Sequence, residues 1–141
     1  MPLVRISLRA DTPAATQRAI ADGVWRALVD ALGIPKGDRF QIIDTHPAEA
    51  LIADPEYLGG TRQNVVFVQI LLVRGRTSET KGKLFAEISK HLTQVGVRGE
   101  DVFVTLTENG RDDFSVGNGE QQLLDEELLR RYGWNAPIPS R

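Results

Sequence analysis

The chain has 141 residues, of which 26% are charged and 41% hydrophobic, with a formal net charge of −2 and no cysteine. This balance fits one soluble globular domain, residues 1–141. It excludes disulfides, thiol catalysis and thiolate metal sites, and it argues against nucleic acid as a partner, because no basic run is present.

No apolar run is long enough to span a bilayer, so no membrane partner is expected. No charged segment followed by an apolar one marks a secretory leader, so a cytoplasmic location is expected.

Met1-Pro2 leads into a first strand, Leu3–Leu8. Thr12 and Pro13 fit the cap and first position of a helix. Ile20, Val24, Leu28 and Ala31 share one helical face, which predicts a helix over Pro13–Leu32, ended by Gly33. Asp38-Arg39 opens a second strand, Phe40–Asp44. Between His46 and Asn64 lies a connection with a short apolar piece, Ala48–Ile52.

Val65–Val73 is apolar except at Gln69 and rich in β-branched residues, the pattern of a central strand covered on both faces. It ends in Arg74-Gly75-Arg76. Thr77 then caps a second predicted helix, Ser78–Gln94, marked by Leu84, Ile88, Leu92 and Val95 and ended by Gly96. A fourth strand follows over Val102–Thr107, then a Gly-rich loop and an amphipathic helix, Leu123–Arg131.

The second half repeats the first. Leu32-Gly33-Ile34 matches Val95-Gly96-Val97, and Asp38-Arg39-Phe40 matches Asp101-Val102-Phe103 at a nearly constant offset. The chain therefore reads as two β-α-β units: repeat one 2–45, connecting loop 46–64, repeat two 65–108, and a C-terminal loop and helix 109–141. The expected fold is α/β, a four-stranded mixed sheet with two helices on one face.

Each unit holds two parallel strands. If the units pair about a pseudo-twofold axis, strands one and three are antiparallel at the centre. Asp38, Arg74 and Arg76 then all meet Pro2. The sheet face away from the helices would be left apolar, and a closed oligomer is the simplest cover.

These residue types suit one chemistry. Removal of Met1 would leave Pro2 as a secondary amine titrating near neutrality, able to act as acid, base or nucleophile. Nearby arginines favour the neutral amine and a nearby carboxylate favours the cation. Two guanidiniums one residue apart form a clamp for a carboxylate.

Pro2, the stretch Asp38-Arg39-Phe40-Gln41, Arg74-x-Arg76 and the loop from Glu108-Asn109 to Gly117-x-Gly119 together resemble the tautomerase superfamily, and within it the malonate semialdehyde decarboxylases. The resemblance implies a homotrimer, no cofactor, Pro2 as catalytic amine, Asp38 as its carboxylate partner, and Arg74 and Arg76 as ligands of a small carboxylate substrate, an oxo-acid. Phe114 and Val116 would wall the pocket. Ser115-Val116 follows Phe114 where that group carries a second large aromatic, which leaves pocket size and substrate open.

The reactions weighed are decarboxylation, keto–enol tautomerisation and hydration of unsaturated acids. The rival from another class is a non-catalytic trimer that binds small acids or a protein partner.

The remaining polar residues fit structural roles. Neither His46 nor His91 shows a metal-ligand spacing, so no metal is expected; His46 fits a turn and His91 borders a helix core. Asp44 and Glu108 are expected solvated at the edge opposite Pro2. Trp25 fits packing, and Arg62 has a weak case for approaching the pocket.

Overall fold

Strict alternation forms the first strand of the computed structural model, which describes residues 2–134. In β1 (Pro2–Arg9), Pro2, Val4, Ile6 and Leu8 are buried while Leu3 and Arg5 are exposed. The chain continues through α1 (Ala14–Leu32), β2 (Phe40–His46), β3 (Val66–Val73), α2 (Ser78–Gln94), β4 (Val102–Asn109) and α3 (Glu126–Arg131). Met1 and the end of the expected tail, 135–141, lie outside the described residues.

The sheet order is β2-β1-β3-β4. β1–β2 and β3–β4 are parallel and β1–β3 is antiparallel at the centre, the arrangement expected of two paired repeats.

Both helices cover one sheet face. Ile20, Val24 and Leu28 of α1 and Leu84, Ile88 and Leu92 of α2 share a core with Val4, Ile6, Val68 and Ile70. Gly33 ends α1 at φ 66, its N–H donating to Val29 O at 2.9 Å. Thr77 caps α2 as expected, its side chain accepting from Thr80 N at 3.2 Å.

Three local expectations are corrected, and the connection after β2 takes no part in the core. The α1 cap is Pro13 and carries no side-chain hydrogen bond; the Thr12 carbonyl instead accepts from Gln17 Nε2 at 2.8 Å. The tail helix is split into a 3₁₀ turn over Gln122–Leu124 and α3, because Asp125 accepts from Leu128 N and starts a new helix. The apolar piece at 48–52 joins no core: Ala48–Ala50 forms a 3₁₀ turn and Ile52 is 85% exposed. His46 closes β2 rather than sitting in a turn.

β3 is covered on one face only. Phe67 and Leu71 are half-buried and Gln69 is exposed on the other. Leu3, Phe40, Ile42 and Phe103 are exposed on the same open face. Among the described residues no helix is long and apolar enough to cross a membrane.

Candidate active site

Strand register brings the sequence-predicted residues together. Pro2 pairs with Leu72, Leu72 with Glu108, and Leu3 with Phe40. One sheet edge therefore holds the start of β1, the approach to β2, and the ends of β3 and β4. Pro2, Asp38, Arg74 and Arg76 all belong to these segments.

Asp38 sits in the turn before β2, its N–H donating to Pro35 O at 2.9 Å, and it is 7% exposed. Burial pushes its carboxyl above the usual carboxylate range, while the positive amino terminus and Arg76 pull it back down. Burial also draws the Arg76 guanidinium below its ordinary value, and Glu108 and Asp38 restore it. Arg76 is anchored by Nη1 donating to Val73 O at 2.9 Å.

Glu108 was expected solvated at the far edge. β4 runs parallel to β3, so its end shares the Pro2 edge, and Glu108 Oε1 accepts from Lys81 Nζ at 2.6 Å. Charges of alternating sign thus run from Lys81 through Glu108 and Arg76 to Asp38. Sequence reasoning did not assign Lys81 or Glu108 to this edge; the parallel pairing of the second repeat was the signal that could have placed Glu108 there.

Arg74 is placed differently. It is exposed, and its N–H donates to Asn109 O at 2.8 Å. Its guanidinium lies against Gly110, where an added Cβ would stand 3.0 Å from Arg74 Nη1 and 2.5 Å from Asp112 Oδ1. Both atoms are ends of flexible side chains, so an alanine here would push the Arg74 guanidinium aside rather than strain the backbone. Gly110→Ala is expected to displace Arg74 and lower kcat/KM by up to about a hundredfold, the effect of misplacing a positioning group by an ångström. Steady-state kinetics beside a circular dichroism spectrum would check this; a fully active variant would show that Arg74 need not lie where it does.

A pocket of 370 Å³ opens beside Pro2. Pro2, Leu3, Phe40 and Leu71 form its floor, and Asp113, Phe114, Ser115 and Val116 its wall. Phe114 and Val116 are therefore where the sequence reading put them. Asp38, Arg74 and Arg76 belong to the same sheet edge and are not among the pocket's lining residues.

The wall is tied down from behind. Arg111, 5% exposed, donates from Nε to Leu123 O at 2.8 Å, and Gly110 N donates to Asp113 Oδ2 at 2.7 Å. Phe114 packs on Val73, Leu123 and Leu129. Asp113 lines the pocket while its carboxylate accepts from Gly110 N, and the sequence reading did not single it out.

Other candidates fall away. Arg39 points to α1, stacking 4.9 Å over Trp25 and pairing with Asp22 at 2.5 Å. Arg62 holds its own loop, donating to Tyr57 O at 2.8 Å. Asp44 is engaged by Arg5. A larger cavity of 470 Å³ opens at the opposite edge. Its two arginines are already engaged, Arg9 by Asp11 at 2.6 Å and Arg98 by Glu100 at 3.1 Å. The smaller pocket lies at the edge that holds Asp38 and Arg76, whose pKa values are shifted by burial rather than by an exposed ion pair, and is the better site.

Comparison with known proteins gives the family. Two family profiles, each described as tautomerase enzyme, match residues 38–117 and 2–60. "Probable tautomerase YusQ" of Bacillus subtilis (strain 168) is 30% identical over 127 residues, 89% of this chain and 100% of the relative. The crystal structure of FG41 malonate semialdehyde decarboxylase inhibited by 3-bromopropiolate superposes with TM-score 0.85 at 44% identity, covering 89% of this chain and 96% of the other. A second malonate semialdehyde decarboxylase, whose structures are described as a basis for decarboxylase and hydratase activities, is 28% identical at TM-score 0.82, covering 86% and 95%. The duplicated β-α-β fold, the Pro2 edge and these matches together make the chain a member of the tautomerase family of enzymes.

Proposed function

We propose that this enzyme decarboxylates a small 3-oxo acid of the malonate semialdehyde type, without a cofactor, using Pro2 as an amino-terminal amine freed by removal of Met1. The observation that carries the reading is that Pro2, which lines the pocket, shares its sheet edge with buried Asp38 and with Arg74 and Arg76 at the end of β3. The 44% identity to a malonate semialdehyde decarboxylase supports it.

In this reading the arginines hold the substrate carboxylate. Protonated Pro2, its cation favoured by Asp38, keeps its proton and donates a hydrogen bond to the carbonyl oxygen at C3, polarising it. The C1–C2 bond breaks, carbon dioxide leaves, and its bonding pair becomes the C2–C3 double bond of an enolate. A proton then adds at C2 to give the aldehyde, so each turnover consumes one proton. The floor of Leu3, Phe40 and Leu71 is apolar, and a subunit packed on that open face would keep water from the departing group.

A second reading is keto–enol tautomerisation, favoured by the names of the Bacillus relatives. It uses neutral Pro2 to carry a proton between carbon and oxygen. The two separate on the Pro2 amine: a pKa well above neutrality supports decarboxylation, and one below it supports tautomerisation.

The test is labelling with 3-bromopropiolate, beside an assay for aldehyde and carbon dioxide. One adduct per chain on the peptide beginning at Pro2, with loss of activity, is expected. Labelling elsewhere, or an amino terminus still carrying Met1, removes Pro2 from the mechanism.

The open sheet face supports assembly as a homotrimer, packing sheet toward sheet. Sedimentation is expected to give a trimer at micromolar concentration, and a stable monomer there would refute the assembly.

A further inference from the structure

α1 and α2 come closest where Gly23 lacks a side chain. A Cβ there would stand 3.2 Å from Leu92 Cδ1 and 3.3 Å from His91 Cβ. That contact seats His91 against α1 with its side chain only 16% exposed. His91 Nε2 lies 3.2 Å from Asp30 Oδ2 on α1, and 3.6 Å from Glu87 Oε2 one turn earlier on α2. The three ligand atoms all lie within 4.8 Å of one another. We propose that Asp30, Glu87 and His91 form a site for a divalent transition-metal ion, Zn²⁺ by preference, that staples α1 to α2.

The spacing is the first argument. Tetrahedral Zn²⁺ with bonds of about 2.0–2.1 Å holds its ligands about 3.3 Å apart. The two distances from His91 bracket that edge. Glu87 and His91 are i,i+4 on one helix, the separation that puts two ligands on one face. Asp30, 61 residues away in sequence, supplies the third from the facing helix.

Charge is the second argument. Two carboxylates converge on one imidazole, and among the described residues His91 is the only ion-pair partner of either. A divalent ion would neutralise both acids. The imidazole selects against Mg²⁺ and Ca²⁺, which prefer all-oxygen sites. Asp30, with its side chain 56% exposed, leaves room for ion entry and for a water in the fourth position. None of the three residues lines the pocket beside Pro2. The helices also cover the sheet face opposite the open one, so assembly through the open face leaves the site accessible.

The experiment is titration of the EDTA-stripped full chain with Zn²⁺ by calorimetry, paired with Co²⁺ absorption spectroscopy and thermal melts. One ion per chain in the micromolar range or tighter, intense tetrahedral Co²⁺ bands and a raised Tm are expected. Mg²⁺ and Ca²⁺ should not reproduce these results. Asp30→Asn and His91→Gln should each weaken Zn²⁺ by about tenfold or more, as loss of one of three protein ligands requires. His46→Gln, at the only other histidine, should leave binding intact. Asp30 is exposed enough that its variant folds even if His91→Gln does not. Absence of saturable binding would leave an ordinary His–Asp ion pair and overturn the proposal. So would binding that survives Asp30→Asn, or that is lost with His46→Gln.

Discussion

Asp38→Asn is expected to lower decarboxylase activity by about 10²–10⁴-fold, the range for a group that sets the proton state of the catalytic acid, while leaving the folded protein at least as stable as wild type at neutral pH. The carboxylate favours the protonated Pro2 amine, and asparagine keeps the shape without the charge. Because burial raises the Asp38 pKa, the acid limb of the wild-type pH–rate profile should fall above the usual carboxylate range. The variant should lack that limb.

Stability moves the other way. In the unfolded chain Asp38 ionises at its ordinary value, and in the fold burial delays it. Between those two values the folded state holds the extra proton, so stability falls as pH rises through the window and stays lower above it. Removing the charge removes that loss. Thermal melts from acid to neutral pH, beside kinetics on the same samples, test both halves. A variant with wild-type rates, or one that melts well below wild type at neutral pH, would contradict this account.

Arg76→Ala is expected to reduce kcat/KM by roughly ten- to a hundredfold, the equivalent of losing a charge-assisted contact of about 1.5–3 kcal/mol. A second effect separates it from Arg74→Ala. Arg76 is among the charges that hold the Asp38 pKa down, whereas Arg74 is not. Removing Arg76 should therefore move the acid limb further up in pH, and Arg74→Ala should leave it in place. Arg76→Lys should retain part of the rate, because a point charge remains but the planar fork is lost. Equal pH profiles for the two alanine variants would show that the electrostatic row from Glu108 to Asp38 has no role in the reaction.

Much of this molecule is legible along the chain because it is built twice from one unit. The helical spacing of Leu84, Ile88 and Leu92, and the Thr77 and Gly33 signals at helix ends, depend on neighbours a few residues away, and these boundaries match the structure. The same local logic places Asp38 before one strand and Arg74 and Arg76 after another. Pairing the repeats brought them to Pro2.

What sequence could not decide depends on contacts between distant segments. Whether Thr12 or Pro13 caps α1, and whether the tail forms one helix or two, turned on single hydrogen bonds. The Val65–Val73 run reads as a strand buried on both faces, yet its second face is open in this chain, because composition reports how apolar a surface is and not what covers it. Glu108 joins the site through a parallel register that its own neighbours do not encode. Asp30 meets His91 across two helices that approach closely where Gly23 has no side chain, a contact between segments 61 residues apart. Period, caps and the internal repeat determine the elements and their order; burial, and hence each charged group's pKa and partners, exists only once the elements are packed.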